Sequence, residues 1–368
     1  MKTANLPPQS ESSKITNKTF QESARDPVKA VILVGGEGTR LRPLTYAIVK
    51  AMVPVLNKPF IEYVIRHLSN HNINEIILAL GYKPDCITDY FGDASQLGVR
   101  LVYNVETDPM GTAGAVKNAE QHIIDDTFFV INGDVFTDLN LTDMLRFHKN
   151  KGAKVTIALT PVEDPTRFGV VETDSRQSIT RFVEKPSREQ VTSNMINAGV
   201  YIIEREILNH IPKGKRFTFE HDVFPSLLAD REPVFGYATE AYWMDMGTPE
   251  KYLQLNRDLL CGKSTQVAFK AGDICIDKRS SVNPQAKLTA PILVDRDCTV
   301  GKGVQVKGPV VIGAGCKINN GATIENSILW QGVTIGEQAV LKDCIVASNS
   351  YIENNACIEC ATIAQAEK

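Results

Sequence analysis

From residue 276 to residue 324 a large aliphatic side chain returns at every sixth position: Ile276, Val282, Leu288, Val294, Val300, Val306, Ile312, Ile318 and Ile324. After one slip the rhythm resumes at Val340, Val346, Ile352 and Ile358. A helix repeats every 3.6 residues and a strand every two, so neither explains a period of six. A coil with three short flat sides does, each hexapeptide supplying one side and one corner. Cys298, Val304, Val310, Cys316, Ala322 and Cys344 stand two places before such positions, and small residues there are expected to point inward. Residues 276–364 are thus expected to form a left-handed parallel β-helix. Cys357 and Cys360 form a C-x-x-C pair. With no second pair and no histidine nearby, packing at the end of the β-helix is expected of them rather than metal binding.

Residues 28–260 have another rhythm. "KAVILV" (29–34) is continuously apolar, as a strand buried on both faces is. "KPFIEYVIRHLSNHNI" follows, with Phe60, Ile61, Val64, Ile65 and Leu68 at helical spacing and Pro59 suited to a first turn. Strands are expected at "EIILAL" (75–80), "VRLVYNV" (99–105), "TFFVIN" (127–132) and "AKVTIALTPV" (153–162), and helices at "AGAVKNAEQHII" and "LTDMLRFHKN". The alternation predicts a Rossmann-like, doubly wound mixed sheet, mostly parallel, with ligands bound beyond the carboxyl ends of its strands. The loops 35–42, 81–84 and 133–137 are expected to converge there. The short strands "FGVVET", "ITRFVE" and "INAGVYII" are expected to extend over the same cleft. Residues 261–275 read as a linker.

The net charge of −3, from 40 basic and 43 acidic residues, is no footprint for nucleic acid or an anionic membrane. Phosphate recognition would have to come from a few placed cations. No apolar run reaches the ~18 residues that a membrane-spanning helix needs. The polar residues 1–27 lack a signal-peptide core and read as a disordered tail. Eight scattered cysteines outline no disulfide framework, and a reducing cytoplasm is the expected compartment.

The first strand runs into "VGGEGTRLRP" (34–43), a loop that lets backbone approach an anion and also carries two arginines. It is not a P-loop, since G-x-x-x-x-G-K-[ST] is absent. It is not a dinucleotide fingerprint either: Gly36 and Gly38 fit the start, but Leu41 stands where the last glycine belongs.

"GGEGTRLRPLT", with Lys50 close behind, resembles the signature of the sugar-phosphate nucleotidyltransferases, the sugar-nucleotide pyrophosphorylases. "GTAGAV" (111–116), "NGDV" (132–135), "FGVV" (168–171), "FVEKP" (182–186), "INAG" (196–199) and "YWMDMGTPE" (242–250) follow in that family's order and spacing, over residues 29–260. A β-helix tail also occurs in many members. In texture the chain is most similar to the mannose-1-phosphate guanylyltransferase branch.

The resemblance implies attack of a sugar 1-phosphate on the α-phosphorus of a nucleoside triphosphate, with release of pyrophosphate. Two anionic substrates must be brought together, so charge neutralisation and positioning dominate. By that resemblance Arg40 contacts the triphosphate and the leaving pyrophosphate, and Lys50 is the catalytic signature lysine of the same loop; here Lys50 stands between Val49 and Ala51, where the family usually has prolines. Asp134 and Asp245 match the pair that holds the catalytic Mg²⁺, a cation that takes carboxylate and phosphate oxygens. Gly35, Gly36, Gly38, Thr39, Tyr82, Gly111 and Thr112 are expected at the nucleotide, with Tyr82 beside the base. Gly169, Glu184, Lys185 and Asn197 are expected at the sugar phosphate. "GTAG" resembles the purine-using branches, which points to GTP and mannose 1-phosphate.

Alternatives within the family are a thymidylyl-, uridylyl- or adenylyltransferase acting on glucose 1-phosphate, and a catalytically silent regulatory subunit. A silent subunit should have lost phosphate or metal residues, and all four are present. Acyl transfer on the β-helix would want a histidine base, but the last histidine is His221. The β-helix is expected instead to mediate homo-oligomer assembly.

Overall fold

The computed structural model describes residues 28–364, so the expected tail at 1–27 lies outside the described residues. Its first thirteen strands and six helices run in chain order. They are β1 (Lys29–Val34), β2 (Pro54–Val55), β3 (Lys58–Pro59), α1 (Phe60–Asn70), β4 (Glu75–Leu80), α2 (Asp85–Phe91), β5 (Arg100–Val105) and α3 (Gly111–Asn118). Next come β6 (Thr127–Asn132), β7 (Val135–Thr137), α4 (Leu141–Lys151), β8 (Val155–Pro161), β9 (Gly169–Thr173), β10 (Ile179–Glu184) and β11 (Met195–Glu204). Then α5 (Phe224–Ala229), β12 (Val234–Ala238), β13 (Trp243–Asp245) and α6 (Pro249–Leu260) complete this part.

The apolar runs take the centre of one mixed sheet, in the order β10-β9-β11-β6-β1-β4-β5, with β8 pairing β11 and β12. β6, β1, β4 and β5 are parallel, so their carboxyl ends open on one edge. The three short strands expected to form an extension over the cleft (β9, β10 and β11) instead continue the sheet itself, with β11 antiparallel to β6. Their apolar residues share the core of the parallel half, which favours one continuous sheet over a second layer.

Amphipathic helices cover both faces. On one face α1 and α6 bury Phe60, Ile61, Ile65, Tyr252 and Leu255 against Ile32, Leu78, Phe129 and Ile131. On the other, Val116, Phe219, Phe224 and Leu227 pack on Val31, Val130, Ile157 and Tyr201. The strap between the domains is itself tied down: Ser264 Oγ and the Thr265 N–H donate to the two Asp138 carboxylate oxygens, at 2.8 and 2.7 Å.

Beyond residue 273, sixteen short strands among the described residues form three parallel sheets, consistent with the left-handed hexapeptide β-helix. Ile276, Val294, Ile312, Leu329 and Val346 stack in register up one side. The slip in the period has a geometric cause. Early coils have eighteen residues, Val306 pairing Ile324, but Ile324 pairs Leu341, seventeen on. The missing residue is absorbed at a corner where Asn326 and Asp343 take positive φ. Leu341 is therefore the interior residue, fully buried, and Val340 lies outward at 38% exposure, against the sequence expectation. Cys298, Cys316 and Cys344 are buried as expected, but Cys357 and Cys360 are exposed, with Ile358 filling the inward place between them.

The β-helix shares the core of the first domain. Val311, Ile328, Trp330 and Ile345 join the cluster around α1 and α6. The Trp330 indole N–H donates to Tyr252 Oη at 2.9 Å, and that hydroxyl donates on to the Pro54 carbonyl.

Candidate active site

The order of strands becomes the order of the site. Along the open edge, Glu106 follows β5, the glycine loop follows β1 and Asp134 follows β6. Asn197, Gly169 and Glu184 lie on β11, β9 and β10 beyond. Two cavities occupy this edge. One, of about 330 Å³, is lined by Gly35, Gly36, Lys50, Glu106, Gly111 and Thr112 among others. The second, of about 600 Å³, is lined by Arg40, Gly169, Glu184, Lys185, Asn197 and Asp245 among others. Thr112, Asn132, Asp134 and Arg216 line both, so the cavities meet where β6 ends.

Bare glycines make the first cavity possible. A Cβ on Gly81 would lie 2.9 Å from the Gly35 carbonyl oxygen, and one on Gly133 would lie 2.6 Å from that of Leu33. Gly111 has φ +74°, and a Cβ there would lie 2.6 Å from the Phe217 oxygen. That carbonyl also accepts from the N–H groups of Ala113 and Gly114, which fixes the start of α3 against residues 215–217.

Thr112 accepts from the Phe219 N–H at 2.9 Å and donates to Glu220 Oε2 at 2.8 Å. Tyr201, fully buried, donates to the other Glu220 oxygen and accepts from Asn197 Nδ2 at 2.8 Å. Burial and the Glu220 charge hold this phenol well above its usual pKa, so it remains a proton donor. One chain of hydrogen bonds therefore joins the two cavities from Thr112 to Asn197.

Each of the two aspartates is held through one oxygen. Lys50 Nζ lies 2.5 Å from Asp134 Oδ2, and Lys251 Nζ lies 3.1 Å from Asp245 Oδ2. β13 pairs antiparallel with β7, Asp245 opposite Val135, and the Met246 N–H donates to the Asp134 carbonyl. Asp134, one residue before β7, and Asp245, 111 residues on in β13, are thereby brought side by side. Asp245 Oδ1 is buried and has no hydrogen-bond partner. A Cβ on Gly247 would lie 3.0 Å from that oxygen and 3.3 Å from Arg40 Nη1, so guanidinium and carboxylate converge over a bare glycine. Two carboxylates and an orphaned oxygen fit a hard divalent cation such as Mg²⁺. No group of three His, Cys, Asp or Glu side chains is clustered for a metal among the described residues, which leaves coordination places to phosphate oxygens and water.

In the second cavity a Cβ on Gly169 would lie 2.8 Å from Glu184 Oε2, so the glycine makes room for that carboxylate. Lys185 Nζ lies 3.3 Å from Glu184 Oε1.

Most of the expected site residues line one cavity or the other. Gly38, Thr39 and Tyr82 line neither. Gly38 acts on the loop: a Cβ there would lie 2.9 Å from Lys50 Cβ. Tyr82 packs on the core cluster with the Lys83 ammonium 5.2 Å from its ring centre. Arg40 lines the second cavity rather than the first. In place of the loop 81–84, the loop after β5 reaches the cleft and brings Glu106. Only 9% of Glu106 is exposed, its Oε1 has no partner, and burial raises its pKa above the ordinary carboxylate value. Glu106, Arg216 and Lys251 escaped the sequence reading. The available signal for Glu106 was its place directly after an expected parallel strand.

Residues 29–261 match the family model described as Nucleotidyl transferase, and residues 288–367 match that of the GMPPB C-terminal domain. The mannose-1-phosphate guanylyltransferase of Mycobacterium tuberculosis is 39% identical over 264 residues, 71% of this chain and 73% of that protein. The mannose-1-phosphate guanyltransferase of Yarrowia lipolytica is 40% identical over 230 residues, 61% of this chain and 62% of its own. The UTP–glucose-1-phosphate uridylyltransferase of a Synechocystis strain is 35% identical over 246 residues, 63% of each chain. This chain thus spans just under two-thirds of the length of those last two relatives. The solved structure of HddC from Yersinia pseudotuberculosis is 32% identical with a TM-score of 0.55, covering 62% of this chain and 98% of its own, and a second structure shows HddC complexed with GMP-PN. A match of this extent, lying on the same strands whose loops build the paired cavities, places the chain in the nucleotidyl transferase family.

Proposed function

We propose that the chain transfers a guanylyl group from GTP to a sugar 1-phosphate, mannose 1-phosphate first among candidates, releasing pyrophosphate. The observation that carries this reading is the meeting of two cavities at Asp134. One cavity has a glycine floor and a lysine, as a nucleotide phosphate chain needs. The other has hydroxyl-reading Glu184 and Asn197 with an ammonium at Lys185, as a sugar phosphate needs.

Arg40, Lys50 and Lys185 draw the two anions together and align the sugar phosphate oxygen with the α-phosphorus. Asp134 and Asp245 would hold Mg²⁺, which when bound neutralises charge on the phosphate oxygens. Thr112, Tyr201, Glu220 and Asn197 keep the walls of both cavities in register.

Glu106 supports the choice of base. It stands three strand spacings from the end of β6, about 14 Å, at the far end of the nucleotide cavity. An ionised carboxylate is a pure acceptor. The Watson–Crick edge of guanine offers it two adjacent donors, N1–H and N2–H. Uracil and thymine offer one donor between two acceptors. The guanylyltransferases among the relatives and the GMP-PN complex of HddC favour the same choice.

Self-association through the β-helix is proposed as well, supported by the unpaired edge of its first coil, where Ile274 and Ile276 are exposed. A cytoplasmic location is proposed on the eight cysteines, all of them free; among the described residues no helix is long and apolar enough to cross a membrane.

The test is a matrix of GTP, UTP, dTTP and ATP against mannose, glucose and N-acetylglucosamine 1-phosphates, with pyrophosphate as the readout. Turnover with GTP and mannose 1-phosphate above all other pairs is expected. Turnover with UTP or dTTP alone would overturn the guanylyl reading, and the Synechocystis relative makes UTP with glucose 1-phosphate the leading alternative.

A further inference from the structure

Helix α6 connects Asp245 to both domains through consecutive residues. Thr248 caps its amino end, accepting from the Lys251 N–H. Lys251 sends Nζ to Asp245 Oδ2 at 3.1 Å and rests 5.0 Å from the ring centre of Phe168, a wall of the second cavity. The next residue, Tyr252, is fully buried and bonded to Trp330 and Pro54. The lysine therefore projects from a backbone anchored through its neighbour, and its ammonium lies over an aromatic ring. An ordinary surface ion pair has neither feature.

The two oxygens of Asp245 are in opposite states. Oδ2 is occupied by the ammonium, whereas Oδ1 is buried, without a partner and beside the space that Gly247 leaves open. A buried acceptor left unpaired is costly unless something comes to it.

We propose that Lys251 is a positioning residue for the nucleotidyl transfer: by holding Oδ2 it presents Oδ1 of Asp245 as the single oxygen offered to a divalent cation. The proposal rests on the reading of Asp245 as a metal ligand. It has a consequence of unusual sign. An ammonium next to the ligand repels the cation, so Lys251 weakens metal binding while it fixes the geometry in which the metal works.

The experiment compares full-length wild type, Lys251→Met and Lys251→Arg, measuring Mn²⁺ affinity by the EPR signal of free Mn²⁺ and pyrophosphate release at saturating Mn²⁺. Lys251→Met is expected to bind Mn²⁺ on the order of tenfold more tightly, from the loss of like-charge repulsion that the open cleft screens only in part. It is also expected to turn over on the order of tenfold more slowly, because the carboxylate is no longer aimed. Lys251→Arg, which keeps the charge, should keep the wild-type affinity for Mn²⁺. Unchanged or weaker Mn²⁺ binding by Lys251→Met, or unchanged turnover, overturns the proposal. Asp245→Asn separates this from the underlying reading: it should lose most Mn²⁺ affinity, and if it does not, the metal assignment fails whatever Lys251 does. Lys251 is about one-third exposed, and a thermal melt verifies that the variants are folded.

Discussion

Replacing Glu106 by glutamine changes the proposed base-reading end of the cleft by one atom type and almost no volume. Oε2 accepts from the Met110 N–H at 3.3 Å, a bond that an amide oxygen can keep. The partnerless Oε1 becomes an NH₂ group. Facing guanine, a charged acceptor is lost and a donor is set against a donor. Hydrogen bonds to charged groups are worth about 1.5–3 kcal/mol, so kcat/KM for GTP should fall roughly 10- to 150-fold. Facing uracil, the same amide complements N3–H and the adjacent carbonyl, so UTP should lose nothing. Steady-state pyrophosphate release with each triphosphate, at fixed sugar 1-phosphate, gives the ratio directly. Stability provides an internal control. Burial raises the folded-state pKa of Glu106, so its ionised form strains the fold. Its stabilising contribution is complete below the unfolded pKa and declines as pH rises through the folded one. At neutral pH Glu106→Gln removes that strain, and Tm should hold or rise while GTP use collapses. A GTP-to-UTP ratio that stays at the wild-type value would refute the argument.

Asp134→Asn should lower turnover roughly 10²–10³-fold, the scale of losing one preorganised charged group, with pyrophosphate release as the measure. Lys185→Ala should raise KM for the sugar 1-phosphate roughly tenfold, one charge-assisted hydrogen bond, and leave KM for GTP nearly unchanged in steady-state titrations. His67, buried and donating its Nε2–H to the Leu139 carbonyl oxygen at 2.9 Å, has its pKa lowered to about 4 chiefly by burial. The unfolded chain takes up this proton near pH 6.5 and the folded chain does not. Stability should therefore fall as pH drops from 6.5 to 4, by up to about 3 kcal/mol from this group. Urea melts at pH 7 and 4.5 should show the loss, and His67→Gln should reduce it.

Much of the fold was legible because it is written in local repetition. "KAVILV" and "TFFVIN" reveal buried parallel strands without any partner in view, and the six-residue period declares the β-helix. Asp134 could be located because it directly follows a strand. The misses have another character. Whether Leu341 or Val340 faces inward depends on a corner that is one residue shorter, and no apolar count distinguishes the two registers beforehand. Gly81 looks like any loop glycine until Gly35 is seen against it. Lys251 is an unremarked helix residue until β13 brings Asp245 beneath it. An acceptor without a partner, such as Glu106 Oε1 or Asp245 Oδ1, is a property of three-dimensional surroundings and leaves no mark in a linear string.

Trp330 and its neighbours Val311, Ile328 and Ile345 belong to the same apolar cluster as Phe60 and Tyr252. A chain cut anywhere in 261–275 would therefore not release two finished modules. The amino-terminal piece would carry a raw hydrophobic wound where the indole had been, directly behind the helix that bears Lys251. The coil that looks like an appendage is a structural wall of the enzyme, and mutations far along it should reach the chemistry by loosening that wall.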